Sequence, residues 1–344
     1  MTAETDKQPP QKLRKRDKRA LTLMAIAALL TFFGGVVLAG YAAINYKYER
    51  GTEIEKGIFQ VPKGAGLSTI ADKLEDEGFI EDAFLFKLVT KLRGNEANFK
   101  AGEFGIEQNS SMSAIYDVLA DGKAILYPFT AAEGLTSAMI VRSLDSVSTL
   151  VDDDPAIPAE GTLLPETYLT PRGMTQSQLL QKMALARTQL LDEAWEKRDP
   201  TIPVKTKEEA IILASVVEKE TGIGMERGMV AGVFTNRLRK GMKLQSDPTI
   251  IYGITQGEAL GRRIRRSEID RRTDWNTYQI PALPKTPICN PGRDAILAVL
   301  NPSETDALFF VADGTGGHAF AKTLREHERN VAKWRKIQRE RGLR

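Results

Sequence analysis

Thr206-Lys-Glu-Glu-Ala-Ile-Ile-Leu-Ala-Ser-Val-Val-Glu-Lys-Glu-Thr221 is the stretch around which the rest of the chain is read. Thr206 with Glu209 three residues on is the pattern of a capping box, and Gly222 reads as the stop. Between Ala210 and Val217 only Ser215 is polar. A helix without a solvated stripe must be enclosed by other elements, so the domain is expected to be built around it. At its end stand two acids. A carboxyl group placed there is partly desolvated, its charged form is disfavoured, and its pKa rises toward the range of a general acid. Spacing does not choose between them: Glu218 shares a face with Ile211, Ala214 and Ser215, whereas Glu220 follows Leu213, Val216 and Val217. Both also read as glutamates that mark a helix leaving a core, paired with Lys219 or Arg227.

Upstream, seven Lys or Arg fall within the first nineteen residues, and an uncharged stretch, residues 20–44, follows. Roughly 20 apolar residues cross the hydrocarbon core as a helix, so residues 20–44 are expected to span a membrane. The run is longer than the ~7–15-residue core of a secretory signal peptide, and no small-residue cleavage site precedes Tyr46-Lys-Tyr48. The basic flank Lys12-Leu-Arg-Lys-Arg16 leaves the N-terminus cytoplasmic by the positive-inside rule. Tyr41, Tyr46 and Tyr48 fit an interfacial aromatic belt. Nearly everything after Tyr46 is then expected outside the cytoplasm.

The chain of 344 residues is 42% hydrophobic and 27% charged, with a net charge of +3. That describes two or three folded domains. Cys289 is the only cysteine, so no intramolecular disulfide is available, and the two histidines, His318 and His327, have no zinc-ligand spacing. No cofactor or metal is expected. No Gly-x-Ser-x-Gly elbow is present. If the chain is an enzyme, carboxylate chemistry is what remains.

Phe59-Gln-Val-Pro-Lys-Gly64 leads into a helix marked by Leu67, Ile70, Ala71 and Leu74. A second helix is expected over residues 83–92, a strand with a turn over 99–106, and a third helix over 113–120. This short alternation reads as a small α+β module. Further on, Asp152-Asp-Asp-Pro155 reads as a solvated loop. Glu160-Gly-Thr-Leu-Leu-Pro-Glu-Thr-Tyr168 carries more chemistry than a linker needs, and a long helix is expected over 176–198. The arginine runs Arg262-Arg-Ile-Arg-Arg266 and Arg271-Arg272, and the basic tail after Lys333, read as solvated faces rather than as a nucleic-acid surface.

Several short motifs occur in one order: Leu213-Ala-Ser-Val-Val-Glu-Lys-Glu-Thr221, Asn236-Arg-Leu238, Leu244-Gln-Ser-Asp-Pro-Thr-Ile-Ile-Tyr-Gly253, Asn276-Thr-Tyr278, Phe310-Val-Ala-Asp-Gly314 and Gly317-His-Ala-Phe320. Together with the segment Glu160–Tyr168 they resemble the endolytic murein transglycosylases, the YceG-like family of membrane-anchored enzymes that cut peptidoglycan glycan strands. The module resembles the LysM-type glycan-binding portion of that family.

The resemblance implies an α+β chain in five parts: a cytoplasmic basic tail (1–19), a transmembrane helix (20–44), a LysM-like module (52–126), a mixed α/β catalytic domain (127–338) and a basic tail (339–344). It implies Glu218 as the catalytic glutamate, with Glu220 as a neighbour that tunes it. Gln245, Ser246, Asp247, Tyr252, Asn276, Tyr278 and Glu166 are expected to support or bind substrate, with Gln245 to Asp247 on a loop. The implied reaction cleaves the β-1,4 bond between N-acetylmuramic acid and N-acetylglucosamine within nascent strands and leaves a 1,6-anhydro sugar. It would end polymerisation beside penicillin-binding peptidoglycan synthases, at the inner membrane with the catalytic domain periplasmic. A non-catalytic wall-binding division scaffold and a water-using muramidase are the alternatives.

Overall fold

The computed structural model describes residues 15–51, 53–92 and 99–342. The basic flank up to residue 14, position 52 where the module is expected to begin, residues 93–98 and the last two residues of the basic tail lie outside them. The chain forms two compact units, Met1–Ile125 and Leu126–Arg344.

The first unit opens with α1 (Lys15–Glu49). Within it Arg19–Glu49 is long and apolar enough to cross a membrane. Leu23, Met24, Leu30 and Val37 are exposed on its surface, and a helix apolar on every side needs an apolar medium around it. The helix does not stop at residue 44. It continues to Glu49, and Tyr48 enters the core of the following module, fully buried with its ring 6.4 Å from that of Phe86. That module consists of β1 (Gly57–Val61), α2 (Leu67–Asp76), α3 (Ala83–Leu92), β2 (Gly102–Ile106) and α4 (Met112–Ala120). β1 and β2 pair antiparallel with Phe59 opposite Phe104, and both phenyl rings join Ile70, Leu74, Phe86, Ile115 and Leu119 in one core. Ser111 caps α4 by accepting the Ala114 N–H at 3.1 Å.

The second unit begins with β3 (Leu126–Thr130), α5 (Ser137–Leu144), β4 (Thr167–Pro171), α6 (Gln176–Glu196), α7 (Lys207–Glu220) and α8 (Gly224–Arg239). It continues through α9 (Asp247–Thr255), α10 (Arg266–Asp270), α11 (Arg293–Leu300), β5 (Phe309–Ala312), β6 (His318–Ala321) and α12 (Leu324–Glu340). Strand content is small. β3 pairs with β4 and β5 with β6, each as a separate antiparallel ribbon, so the expected mixed domain is a helical body carrying two ribbons.

α7 lies at the centre of that body. Leu213, Ala214, Val216 and Val217 are fully buried among Leu190, Leu191 and Ala194 of α6, Val230, Ala231 and Phe234 of α8, and Ala295, Ile296, Val299 and Leu300 of α11. Each leucine, isoleucine or valine among them contributes about 1.5–3 kcal/mol when removed from water. Ser215, the polar exception, donates to the Ile212 carbonyl at 2.7 Å and accepts the Ile288 N–H at 3.0 Å.

Both ends of α7 differ from the sequence expectation. Thr206 accepts the Glu209 N–H at 3.1 Å, but the Glu209 carboxylate accepts from Lys205 rather than from Thr206, so half a capping box forms. The helix ends because Thr221 turns extended, at φ −140° and ψ 128°, and not through a left-handed glycine. Asp247 and Pro248 likewise do not lie on a loop. They open α9, with proline in the first turn where its missing N–H has no cost.

Candidate active site

The two acids at the end of α7 face different surroundings. Glu220 lines a cleft of about 490 Å³ together with Arg237, Gln245, Asp247, Tyr278, Phe310 and His327. The Ser246 hydroxyl donates to its Oε1. Burial pushes the Glu220 carboxyl up to about 7, reinforced by the Asp247 charge and opposed by the Ser246 hydrogen bond, His318 and Arg237. At the residue level Glu220 is only partly buried, because its side chain borders the cleft. Its acid group is therefore both desolvated and reachable.

The cleft wall is strung on one turn. Gln245 adopts φ 54° and donates its N–H to the Thr277 carbonyl at 3.3 Å, while the Ser246 N–H donates to Thr277 Oγ1 at 3.0 Å. The Tyr278 hydroxyl donates to Asp247 Oδ1 at 2.8 Å, and burial with the Asp247 charge raises the Tyr278 pKa. Opposite them, Arg237 donates to the Leu308 carbonyl at 2.7 Å and also to that of Leu244. His327 stacks on Phe309 at 5.2 Å, and burial lowers its pKa.

Glu218 belongs to a second cluster. Its side chain is 6% exposed. Oε2 accepts the Gly292 N–H at 2.9 Å, and Oε1 meets Arg227 at 3.4 Å. Arg227, itself buried, also meets Glu133 and Asp294 at 3.3 Å each. Burial raises the Glu218 pKa, the Gly292 N–H and Arg227 oppose that rise, and Glu133 adds to it. Gly134 and Lys219 beside it line another cavity of about 430 Å³, walled by Thr136, Met139, Tyr252 and Leu260.

Of the other residues marked in the sequence, Gln245, Ser246, Asp247 and Tyr278 gather around Glu220, not Glu218. Tyr252 packs edge-on against Trp275 at 5.7 Å and faces the second cavity. Asn276 is buried, and its amide donates to the carbonyls of Glu268, Ile269 and Arg271 at 3.1, 3.0 and 2.6 Å. It organises backbone rather than the cleft. Glu166 accepts from Arg293 Nε at 3.0 Å and from a terminal guanidinium nitrogen at 2.8 Å, tying the end of the β3–β4 ribbon to the first turn of α11.

Gly292 and Glu226 enter the site without a sequence signal, because their partners lie far along the chain, whereas Arg237 and His318 stand in the motifs Asn236-Arg-Leu238 and Gly317-His-Ala-Phe320. Among the described residues no group of His, Cys, Asp and Glu has the geometry to hold a metal ion.

A desolvated acid beside hydroxyl, phenol and carboxylate groups in an open cleft defines a site of the acid–base carboxylate class. Residues 59–333 match the YceG-like family, and the chain belongs to that family. It is 26% identical over 332 residues to the endolytic murein transglycosylase of Bacillus subtilis strain 168, covering 88% of this chain and 90% of that one. It is 27% identical over 362 residues to the endolytic murein transglycosylase of Streptococcus pneumoniae strain D39, covering 89% of this chain but 64% of the longer pneumococcal protein. A crystal structure of a YceG-like protein from Listeria monocytogenes is 26% identical and covers 80% of this chain and 98% of its own, with a TM-score of 0.48.

Proposed function

We propose that this chain is a membrane-anchored endolytic lytic transglycosylase that cleaves the β-1,4 bond between N-acetylmuramic acid and N-acetylglucosamine within peptidoglycan strands, with Glu220 as its general acid and base. The observation that carries the assignment is a carboxyl group still protonated to about pH 7 on the wall of an open polar cleft. Protonated Glu220 gives its proton to the glycosidic oxygen as that bond breaks. The C6 hydroxyl of the muramic residue attacks the anomeric carbon, and its proton passes to the Glu220 carboxylate, restoring the acid. The product is a 1,6-anhydro end. An internal nucleophile removes the need for a second carboxylate that activates water. Asp247 and the Tyr278 phenol supply charge and dipole for the oxocarbenium-like transition state, and Ser246 orients Glu220.

Glu218, the acid that the family resemblance names, is the second reading. Its burial and raised pKa favour it. The Gly292 N–H and Arg227 stabilise its ionised form, which an acid catalyst must not hold at rest. The water-using muramidase is supported by the proximity of Asp247 to Glu220, since two carboxylates suit a hydrolytic route.

Product analysis of purified glycan strands digested by wild type, Glu220→Gln and Glu218→Gln tests all three. Anhydro-muropeptides from wild type and from Glu218→Gln, with none from Glu220→Gln, are expected. Loss only in Glu218→Gln transfers the role to that residue. Reducing ends in place of anhydro ends make the chain a muramidase, and no cleavage by wild type makes it a wall-binding scaffold.

The anchor supports the rest of the reading. With the N-terminus cytoplasmic and the catalytic unit periplasmic, cutting is confined to strands near the bilayer, where new glycan emerges beside penicillin-binding synthases. Cleavage there ends polymerisation, and the module of β1 to α4 serves as a LysM-like holder of the strand.

A further inference from the structure

α9 borders three spaces. Asp247 at its start lines the Glu220 cleft, Tyr252 lines the cavity of Gly134 and Lys219, and Gly253 lines a third cavity of about 340 Å³ with Glu268, Arg271 and Asn276. The helix therefore adjoins the space beside either acid, and the third cavity is open to whatever hangs from a strand held there.

The segment that closes this third cavity is cationic. Residues 262–272 hold six arginines against Glu268 and Asp270. Both oxygens of Glu268 are taken, by the Arg262 guanidinium and by the Arg265 N–H at 2.7 Å. Asp270 pairs with Arg266 at 2.9 Å, and nearby Asp274 pairs with Lys285 at 2.9 Å. Arg271 and Arg272 are exposed and have no carboxylate partner among the described residues. Their backbone is nevertheless fixed from within. The buried Asn276 amide holds the carbonyls of Glu268, Ile269 and Arg271, and Gln279 Nε2 donates to that of Ile269 at 2.9 Å. A solvated basic loop needs no such clamp, whereas a cationic surface held still in advance loses less entropy on binding an anion.

We propose that Arg271, on the wall of this cavity, and Arg272 next to it bind the free carboxylates of the short peptides carried by the glycan strand. The inference rests on peptidoglycan being the substrate and not on which glutamate is the acid. A guanidinium meets a carboxylate through two parallel N–H···O bonds, a geometry that suits a peptide's carboxylates. The nine residues of α9 make it about 13 Å long. An extended peptide covers about 3.3 Å per residue, so about three to five residues hanging from a sugar on the Asp247 or Tyr252 side span the helix and reach the arginines.

The test uses the full-length protein in phosphatidylcholine nanodiscs and two purified uncrosslinked substrates, strands with their peptides and the same strands stripped of peptides by an amidase. The wild type is expected to favour the peptide-bearing strands in kcat/KM by about 3- to 10-fold, through KM. Arg271→Gln/Arg272→Gln should bring that ratio close to one. Arg271→Lys/Arg272→Lys should keep part of it, since the charge stays and the fork is lost. Higher ionic strength should narrow the wild-type preference. A wild-type ratio of one, a double variant that keeps the wild-type ratio, or a change confined to kcat overturns the proposal. A loss seen only in phosphatidylglycerol discs gives the arginines to lipid and overturns it as well. Wild type inactive on both strand types removes the transglycosylase reading itself, whereas activity on both without preference removes the peptide site alone.

Discussion

Glu218 accepts the backbone N–H of Gly292 at 2.9 Å across 74 positions of sequence. The contact closes the loop before α11 onto the end of α7, and a side chain at 292 would run into Glu133. A Cβ there would lie 1.9 Å from Glu133 Oε1 and 2.2 Å from its Cδ. Gly292→Ala must therefore push Glu133 off Arg227 or shift the loop. Overpacking of this kind costs about 1–3 kcal/mol. Urea unfolding of the variant should show that loss, and a midpoint within error of wild type would mean that Glu133 swings away freely.

The two acids should also part in stability. Glu218→Gln keeps an acceptor for Gly292 but leaves buried Arg227 without its most buried anion, for a loss of about 1–3 kcal/mol. Glu220→Gln removes a carboxyl that must ionise in a desolvated place above pH 7. At pH 8 it should be as stable as wild type or more so. Paired unfolding curves at that pH settle the matter, and equal destabilisation would contradict the division into two clusters.

Two groups make the fold sensitive to alkali. Burial raises Glu220 to about 7, and burial raises Glu160, which accepts the Ser137 N–H at the start of α5, to about 7 as well. Each binds its proton more tightly folded than unfolded. Their contribution is therefore complete below the unfolded value of 4.5 and is lost as pH rises toward and past 7. For Glu220 this amounts to about 3 kcal/mol. For Glu160 it is less, because part of that group meets solvent. Melting temperatures of wild type and Glu160→Gln/Glu220→Gln between pH 4.5 and 8 should agree at the acid end and part at the alkaline end, where the wild type falls below the variant. Parallel curves across that range would exclude the linkage.

How much of this was written in the sequence depends on the range over which each feature is determined. α7 was legible because eight successive positions lack a polar stripe, and periodicity is local information. The helices after Phe59 were legible for the same reason, and Ser246, Asp247 and Tyr278 were marked by their motifs. Which acid they serve was not. Glu218 and Glu220 both follow apolar faces, and only the fold of Thr277 onto Ser246 and Thr249, at 3.0 and 2.9 Å, brings that wall to Glu220. Asn276 shows the limit of a motif, because an amide that gathers three carbonyls and one that binds a sugar look identical in sequence. Glu226 and His318 are 92 positions apart, beyond any spacing argument.

Tyr48 offers a final test, of the tether itself. It counts in the sequence as one of three interfacial tyrosines, but its ring is fully buried against Phe86, and the last turns of α1 pack on α3 and α4. Because a helix is stiff and its hydrogen bonds run unbroken from Arg19 to Glu49, the apolar span and the module share one rigid element. Tyr48→Ala would empty an aromatic site at about 3–5 kcal/mol. Hydrogen exchange on the detergent-solubilised full chain should then speed up in α3 and α4, while α7 and α11, whose core is separate, keep their protection. Unchanged exchange in α3 would mean that the helix end rests on the module without supporting it, and the span could then swivel.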